Sequence, residues 1–363
     1  MADFSPNRLL SLDVFRGLTV AAMILVNNPG DWGYVYTPLL HAPWHGCTPT
    51  DLIFPFFLFI VGVSIVFASA KQPPSLLKIA RRSAVLFGLG LLLNLYPKFE
   101  FESVRIMGVL QRIGLVFFFC ALIYLKTTPK TQVVLLIGIL VGYCVLFTFV
   151  PIPGIGAANL QPETNIGAWL DRLVLTPAHL WKTAKVWDPE GLLATLPAIG
   201  TGLLGVLTGQ WLRTTRPIAE RMVWLLIAGN ALIVIGLIWD LVFPINKALW
   251  TSSYVCYTGG WAMVGLAICY WLIDVQGYRS WTLFPLVFGV NAITVFFLSG
   301  IIPRTLALIK IDEIDSKTWL QQNIISPFFT NAYNASLAGA LTFLAIWFLI
   351  LYVMYRQKIF IKV

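Results

Sequence analysis

After Asp51 the chain reads LIFPFFLFIVGVSIVFASA (52–70), nineteen residues without one charged side chain. A bilayer core takes about 20 mostly apolar residues per helix, so this run reads as a membrane span from length and composition alone. Extended back to residue 50, it is one of ten such runs. The others lie at 9–28, 80–97, 105–125, 131–151, 190–212, 221–243, 250–273, 282–302 and 334–355. The sequence therefore predicts an all-α, polytopic membrane helix bundle of about ten spans, forming a single transmembrane domain over 1–363. Three long connections, 29–49, 152–189 and 303–333, fall on one side of it.

Composition agrees. Hydrophobic residues make up 58% of the 363 and charged ones 11%, against about 25% charged in a soluble domain, and the mean hydropathy is +0.81. These values exclude a soluble globular enzyme, a disordered chain and an ordinary nucleic-acid-binding domain. The formal charge of +9 sits in short clusters between apolar runs. Fourteen Lys and Arg fall on the side of the termini and nine on the other, spread over longer loops, while Arg16 and Arg112 lie inside spans. The positive-inside rule then puts both termini in the cytoplasm. No cleavable signal peptide is expected, because the first apolar run carries Asp13 and Arg16. Cys47, Cys120, Cys144, Cys256 and Cys269 form no CxxC pair, which argues against a disulfide framework or a metal knuckle.

Polar residues inside spans mark sites or pathways, since a mid-membrane charge costs about 3 kcal/mol on insertion scales. In the first span Asp13, Arg16, Val20, Met23 and Asn27 follow 3-4 spacing and share one helix face about 21 Å long. An Asp13–Arg16 ion pair is the plain reading of the first two, and it leaves Asn27 unexplained. The next segment, HAPWHGCTPTDLIFPFF (41–57), concentrates His41, Trp44, His45, Thr48, Thr50 and Asp51. Thr50 is expected to cap the second span, with Asp51 in its first turn. His41 and His45, two of three histidines, suit proton transfer near neutral pH. A metal is not expected, because Pro43 between them disfavours a helix and no third ligand stands nearby.

Further on, Arg112 is expected in the fourth span one heptad after Arg105, on the same face, with an anion, Asp51 or Asp240 as partner. Asp188-Pro189-Glu190-Gly191 reads as a capped helix start. Ala198, Gly202, Gly205 and Gly209 form a small-residue packing stripe. Asn291 reads as an interhelical hydrogen bond, and Ile166–Leu175 as a short interfacial helix. There is no Walker loop, nucleophile elbow or dinucleotide fingerprint. The classes that remain are an intramembrane enzyme and a secondary transporter, here of an aminosugar. No internal repeat supports the transporter.

SLDVFRGLTVAAMILVNNPG (11–30), HAPWHGCTPTDLIFPFFLFIVGVSI (41–65), GVLQRIGL (108–115), DPEGLLATLPAIGTGLLGV (188–206), NKALWTSSYV (246–255) and GVNAITVF (289–296) resemble the heparan-α-glucosaminide N-acetyltransferase family. They are most similar to its short bacterial members. The resemblance implies acetyl transfer from cytosolic acetyl-CoA, the co-substrate, to a glucosamine amine on the far side of the membrane. It places the family's active histidine on His41, its functional aspartate on Asp51 and its asparagine on Asn27. Arg16, Arg112, Asn291, Arg81, Arg82 and Arg213, with Arg279, are the expected donor-binding residues. Trp44, His45, Asp188, Glu190 and Lys247 are those expected for the acceptor. The expected partners are the lipid bilayer, acetyl-CoA and an aminosugar, with no nucleic acid and no metal. A homodimer is one assembly compatible with such a chain, and the bacterial inner membrane is the expected location.

Overall fold

The computed structural model describes residues 9–70 and 72–361. Nine of the ten expected spans hold one long helix each: α1 Leu10–Asn27, α2 Pro49–Ala68, α3 Leu76–Leu95, α4 Val109–Lys126, α5 Pro129–Phe149, α7 Thr195–Leu212, α8 Ile218–Asp240, α9 Ser252–Tyr270 and α13 Ala332–Arg356. The expected span 282–302 is instead broken into α10 Leu283–Val290 and α11 Ala292–Leu306, bent by 82° at Asn291. Between these lie the short helices α6 Ile166–Leu175 and α12 Ser316–Leu320, and a two-stranded hairpin, β1 Lys310–Ile311 with β2 Ile314–Asp315.

Among the described residues seven helices are long and apolar enough to cross a membrane, or eight with the bent pair counted once. Among the long helices, α3 and α7 fall short for different reasons. Lys78, Arg81 and Arg82 load the start of α3, and α7 carries four glycines and three threonines. Val134 of α5, Ile238 of α8 and Leu349 of α13 are exposed. Large apolar faces of this kind need lipid rather than water around them. The chain is an all-α integral membrane protein.

The chain packs as two units. The first takes residues 9–42, 48–54 and 269–361, the second 43–47 and 55–268. In the first, α1 and α10 touch backbone to backbone at two glycines. A Cβ on Gly17 would lie 1.6 Å from the Pro285 carbonyl oxygen, and one on Gly289 would lie 2.1 Å from that of Asp13. The Asp274 carboxylate accepts the Ser11 backbone N–H at 3.1 Å, meeting one of the four N–H groups that α1 leaves unpaired.

In the second unit the small-residue stripe of α7 lies against two helices. A Cβ on Gly202 would meet Cys120 Sγ of α4 at 2.6 Å, and one on Gly205 would meet the Phe59 carbonyl oxygen of α2 at 2.0 Å. Close approach of this kind is how membrane helices gain packing energy when lipid is as apolar as their side chains. The five cysteines are free thiols.

Candidate active site

The segment before α2 is folded by its own polar side chains. Gly46, with φ of 105°, turns the chain between His45 and Thr48 in a conformation that side-chain-bearing residues avoid. Helix α2 begins two residues earlier than a Thr50 cap requires. Pro49 takes the first helical position, where its missing N–H is no loss. The Thr50 hydroxyl donates to the Pro38 carbonyl at 3.1 Å instead of capping. Asp51 is the third helical residue, and its Oδ2 accepts the Thr48 backbone N–H at 3.0 Å and the Thr48 hydroxyl at 3.1 Å. That is one half of a capping box with Thr48 as its first residue, the Asp51 N–H going to the Thr48 backbone carbonyl at 3.0 Å.

The same carboxylate does a second job. Oδ2 also accepts the Ala42 N–H at 3.0 Å, and Oδ1 lies 2.7 Å from His41 Nδ1. The Asp51 side chain is 1% exposed and that of His41 49% exposed. A carboxylate fixed by three donors has its other oxygen aimed at Nδ1. This favours the tautomer with the proton on Nδ1 and the lone pair on Nε2, the state of a general base.

The second unit contains a separate polar cluster. Helix α7 starts at Thr195, so Asp188 and Glu190 do not cap it, contrary to the sequence expectation. They are held by Arg105, whose Nε donates to Asp188 Oδ2 at 2.8 Å and whose Nη2 donates to both Asp188 Oδ1 and Glu190 Oε2. Helix α4 begins at Val109, so Arg105 lies in the segment ahead of it and not on a shared helix face. Arg112, fully buried, converges on the same turn from inside α4. It donates to the carbonyls of Pro189 at 3.2 Å and Gly191 at 3.1 Å and stacks over Trp250. Neither Asp51 nor Asp240 is its partner: Asp51 is committed as above, and Asp240 accepts the Ile245 N–H. One arginine thus takes the carboxylates of the turn and the other its backbone.

Beside this turn lies a small pocket. Trp44 and Asp188, both expected from the sequence, line it together with Tyr143, Asn165, Asp171 and Trp187. Trp44 donates its indole N–H to the Leu160 carbonyl at 2.9 Å and meets Trp187 edge to face at 5.1 Å. His45 Nδ1 lies 3.4 Å from Asn246 Nδ2. Partial burial lowers the His45 pKa, and Asp240 opposes the shift. Lys247 is close enough to Glu190 to act on its charge.

A family model described as heparan-alpha-glucosaminide N-acetyltransferase, catalytic, matches residues 8–239. That range contains the His41–Asp51 pair and the Arg105–Asp188–Glu190 cluster. The chain belongs to the heparan-alpha-glucosaminide N-acetyltransferase family. It is 30% identical to the human heparan-alpha-glucosaminide N-acetyltransferase over 423 aligned positions, covering 99% of this chain and 60% of that protein. It is 31% identical to the mouse protein, covering 100% of this chain and 62% of the relative. The chain therefore spans about 60% of the length of these relatives.

The other residues that family resemblance had singled out are scattered. Arg16 donates to Asp13 at 2.8 Å, as the plain ion-pair reading had it. Asn27 is exposed at the end of α1. Asn291 does not bridge two helices. It sits at the α10–α11 break and holds the C-terminal segment, accepting the Ile361 N–H at 2.9 Å and donating to the Ile359 carbonyl at 3.2 Å. Arg81 and Arg82 are exposed on α3, with the Arg82 guanidinium over the Phe117 ring. Arg213, just past α7, reaches the Val66 carbonyl near the end of α2 at 3.5 Å, a favourable place for a cation beside a helix C-terminus. Among the described residues no group of three or more His, Cys, Asp and Glu could hold a metal.

Asp171 was not singled out from the sequence. The signal was present: Gly167, Ala168, Asp171 and Leu175 are the buried residues of α6, at helical spacing, so the aspartate sits in the inward stripe of an amphipathic helix. Its Oδ1 accepts the Leu192 N–H at 2.8 Å. Burial, reinforced by Asp188, pushes its carboxyl up to about 7, against the pull of the Leu192 N–H, Arg112 and Arg172.

Proposed function

We propose that the chain is a membrane acetyltransferase. It takes an acetyl group from cytosolic acetyl-CoA and places it on the amine of a glucosamine-type sugar at the outer face of a bacterial inner membrane. The His41–Asp51 pair, lying inside the family's matched region, is the observation that carries this reading. His41 Nε2 accepts a proton from the attacking amine, and Asp51 orients the ring and stabilises the imidazolium. Asn27 donates to the oxyanion as the thioester carbonyl is attacked. Transfer through an acetyl-histidine is a variant of the same chemistry on the same residue. Exposed Arg81 and Arg82, with Arg213, bring the positive charge that the donor's phosphates require. Trp44, His45, Asp188, Glu190 and Lys247 serve the acceptor.

Two outcomes are expected of the intact protein. Acetyl-CoA should raise its thermal midpoint in detergent, because a ligand that binds only the native state stabilises it by mass action. An absent shift at saturating acetyl-CoA, beside a clear shift with free glucosamine, would contradict a donor site. The second concerns ten spans with cytoplasmic termini. Thr128→Cys in a cysteine-free background should stay unlabelled by a membrane-impermeant maleimide in intact cells and react after permeabilisation. Labelling from outside reverses the orientation.

A further inference from the structure

In the first unit, the segment that leads to His41 presents a patch of aromatic rings at the surface. Tyr34 and Tyr36 are 46% and 37% exposed, and Tyr333 from the first turn of α13 is 41% exposed. The three rings form one cluster: Tyr333 meets Tyr34 edge to face at 5.7 Å and Tyr36 at 5.4 Å between centroids. Hydrogen bonds hold them there. The Ser336 hydroxyl of α13 donates to the Asp31 carbonyl at 2.8 Å and accepts the Asp31 N–H at 3.0 Å, while the Ser336 carbonyl accepts the Gly30 N–H at 3.1 Å. The Asp31 carboxylate accepts the Gly33 N–H at 2.7 Å, and the Tyr36 hydroxyl donates to Asn334 Oδ1 at 2.6 Å. Rings fixed in this way have little freedom left to lose when a ligand covers them. Exposed Asp31, Asn331 and Asn334 stand among them. Such polar groups are costly to press against lipid tails, and they suit a ligand that offers C–H faces and hydroxyls together. The patch also adjoins the His41–Asp51 pair. Tyr36 precedes His41 by five residues, so their Cα atoms lie within about 18 Å even at full extension. The tight helical turn Thr37–Leu39 shortens that path, and the Thr50 and Thr48 hydroxyls on either side of Asp51's helix entry hold it by donating to the Pro38 and Leu40 carbonyls.

We propose that Tyr34, Tyr36 and Tyr333 form a subsite for a sugar chain, holding the sugar residues next to the glucosamine whose amine is acetylated at His41. The inference rests on the acetyl-transfer reading above and deepens it: the acceptor is one sugar of a longer glycan rather than a free monosaccharide. An aromatic face packs against the C–H face of a pyranose ring, and tyrosine adds a hydroxyl that can meet the sugar's own. The rings touch sugars that do not react, so their contacts are the same before and during the transfer. Contacts of that kind lower KM and leave kcat to His41. Tyr333 lies outside residues 8–239, the range that the family model matches, so α13 supplies part of the acceptor site from beyond it.

The test compares two acceptors on the full-length protein in detergent, glucosamine and its β1–4-linked trisaccharide, with thiol release from acetyl-CoA as readout. For the wild-type protein KM should be about tenfold lower for the trisaccharide at similar kcat, the scale of two aromatic contacts. Equal KM values overturn the proposal, and this comparison needs no variant. The double variant Tyr34→Ala, Tyr333→Ala should lose the preference, its KM for the trisaccharide rising about tenfold. Tyr34→Phe with Tyr333→Phe keeps both rings and should keep the preference. A preference that survives the alanine pair overturns the proposal. So does a fall in kcat that is equal for both acceptors, which marks the rings as structural. An alanine pair with unchanged sugar kinetics and a thermal midpoint restored only by added phospholipid assigns the rings to the membrane interface, and overturns it too. Failure of the two readings is distinguishable. A trisaccharide that raises the wild-type thermal midpoint more than glucosamine does, without thiol release, refutes acetyl transfer and supports the subsite. Thiol release with equal KM values refutes the subsite alone.

Discussion

His41→Ala should lower acetyl transfer from acetyl-CoA to glucosamine by about 10²–10⁴-fold, the usual worth of one positioned general base. The side chain is half exposed in a loop that is tied down by Thr48, Thr50 and Asp51, so its removal should leave folding and acetyl-CoA binding intact. Thiol release is the readout. Asp51→Asn should be nearly as damaging for a reason visible in the geometry. Three donors converge on Oδ2, and an amide has only one acceptor oxygen. If that oxygen stays with the donors, the amide N–H₂ faces His41 Nδ1. The proton then moves to Nε2, where the lone pair is needed. His45→Ala should cost much less, since that ring contacts Asn246 and no carboxylate at hydrogen-bond distance. Near-normal turnover in His41→Ala would end the catalytic reading. Equal losses at His41 and His45 would instead point to a paired role.

Arg105→Leu is the substitution expected to destabilise the fold most, by about 3–5 kcal/mol, because it strands two buried carboxylates. The Asp188 and Glu190 side chains are 0% and 7% exposed, and Arg105 donates to both. The Glu190 carboxylate keeps only the more distant charges of Arg112 and Lys247. Thermal unfolding in detergent measures the loss. Adding Asp188→Asn and Glu190→Gln to the same variant should recover a large part of it, since neutral groups are cheaper to bury than unpaired charges. An unchanged midpoint in Arg105→Leu would show that the cluster adds nothing net to stability.

The long helices were legible because each is decided locally. Whether a stretch crosses a bilayer depends on the summed transfer free energy of about 20 adjacent side chains, and the runs at 50–70 or 131–151 need no distant partner to be apolar. The contact of His41 with Asp51 was within reach of the sequence for a similar reason: the two are ten residues apart, and the polar segment between them folds on itself. The plain ion pair of Asp13 with Arg16 was equally local.

What the sequence left undecided involves partners far along the chain. Arg105 and Arg112 find their acceptors 77–85 residues away. No spacing rule pairs them, so an anion, Asp51 and Asp240 had all remained open for Arg112. Asn291 lies in an apolar run that reads as one span. There the helix breaks, and the side chain bonds backbone groups about 70 residues on. Helix α7 begins at Thr195, because Asp188 and Glu190 are drawn to Arg105 rather than to the helix N-terminus. The surroundings of Asp171 rest entirely on this kind of information. An aspartate in a ten-residue amphipathic helix looks ordinary until packing buries it beside Asp188, pins it against Gly191 and opens an aromatic pocket before it. Hydropathy is a property of neighbouring residues and can be read in order. Burial, and the charge imbalance that gives a buried group its chemistry, exists only after remote segments have met.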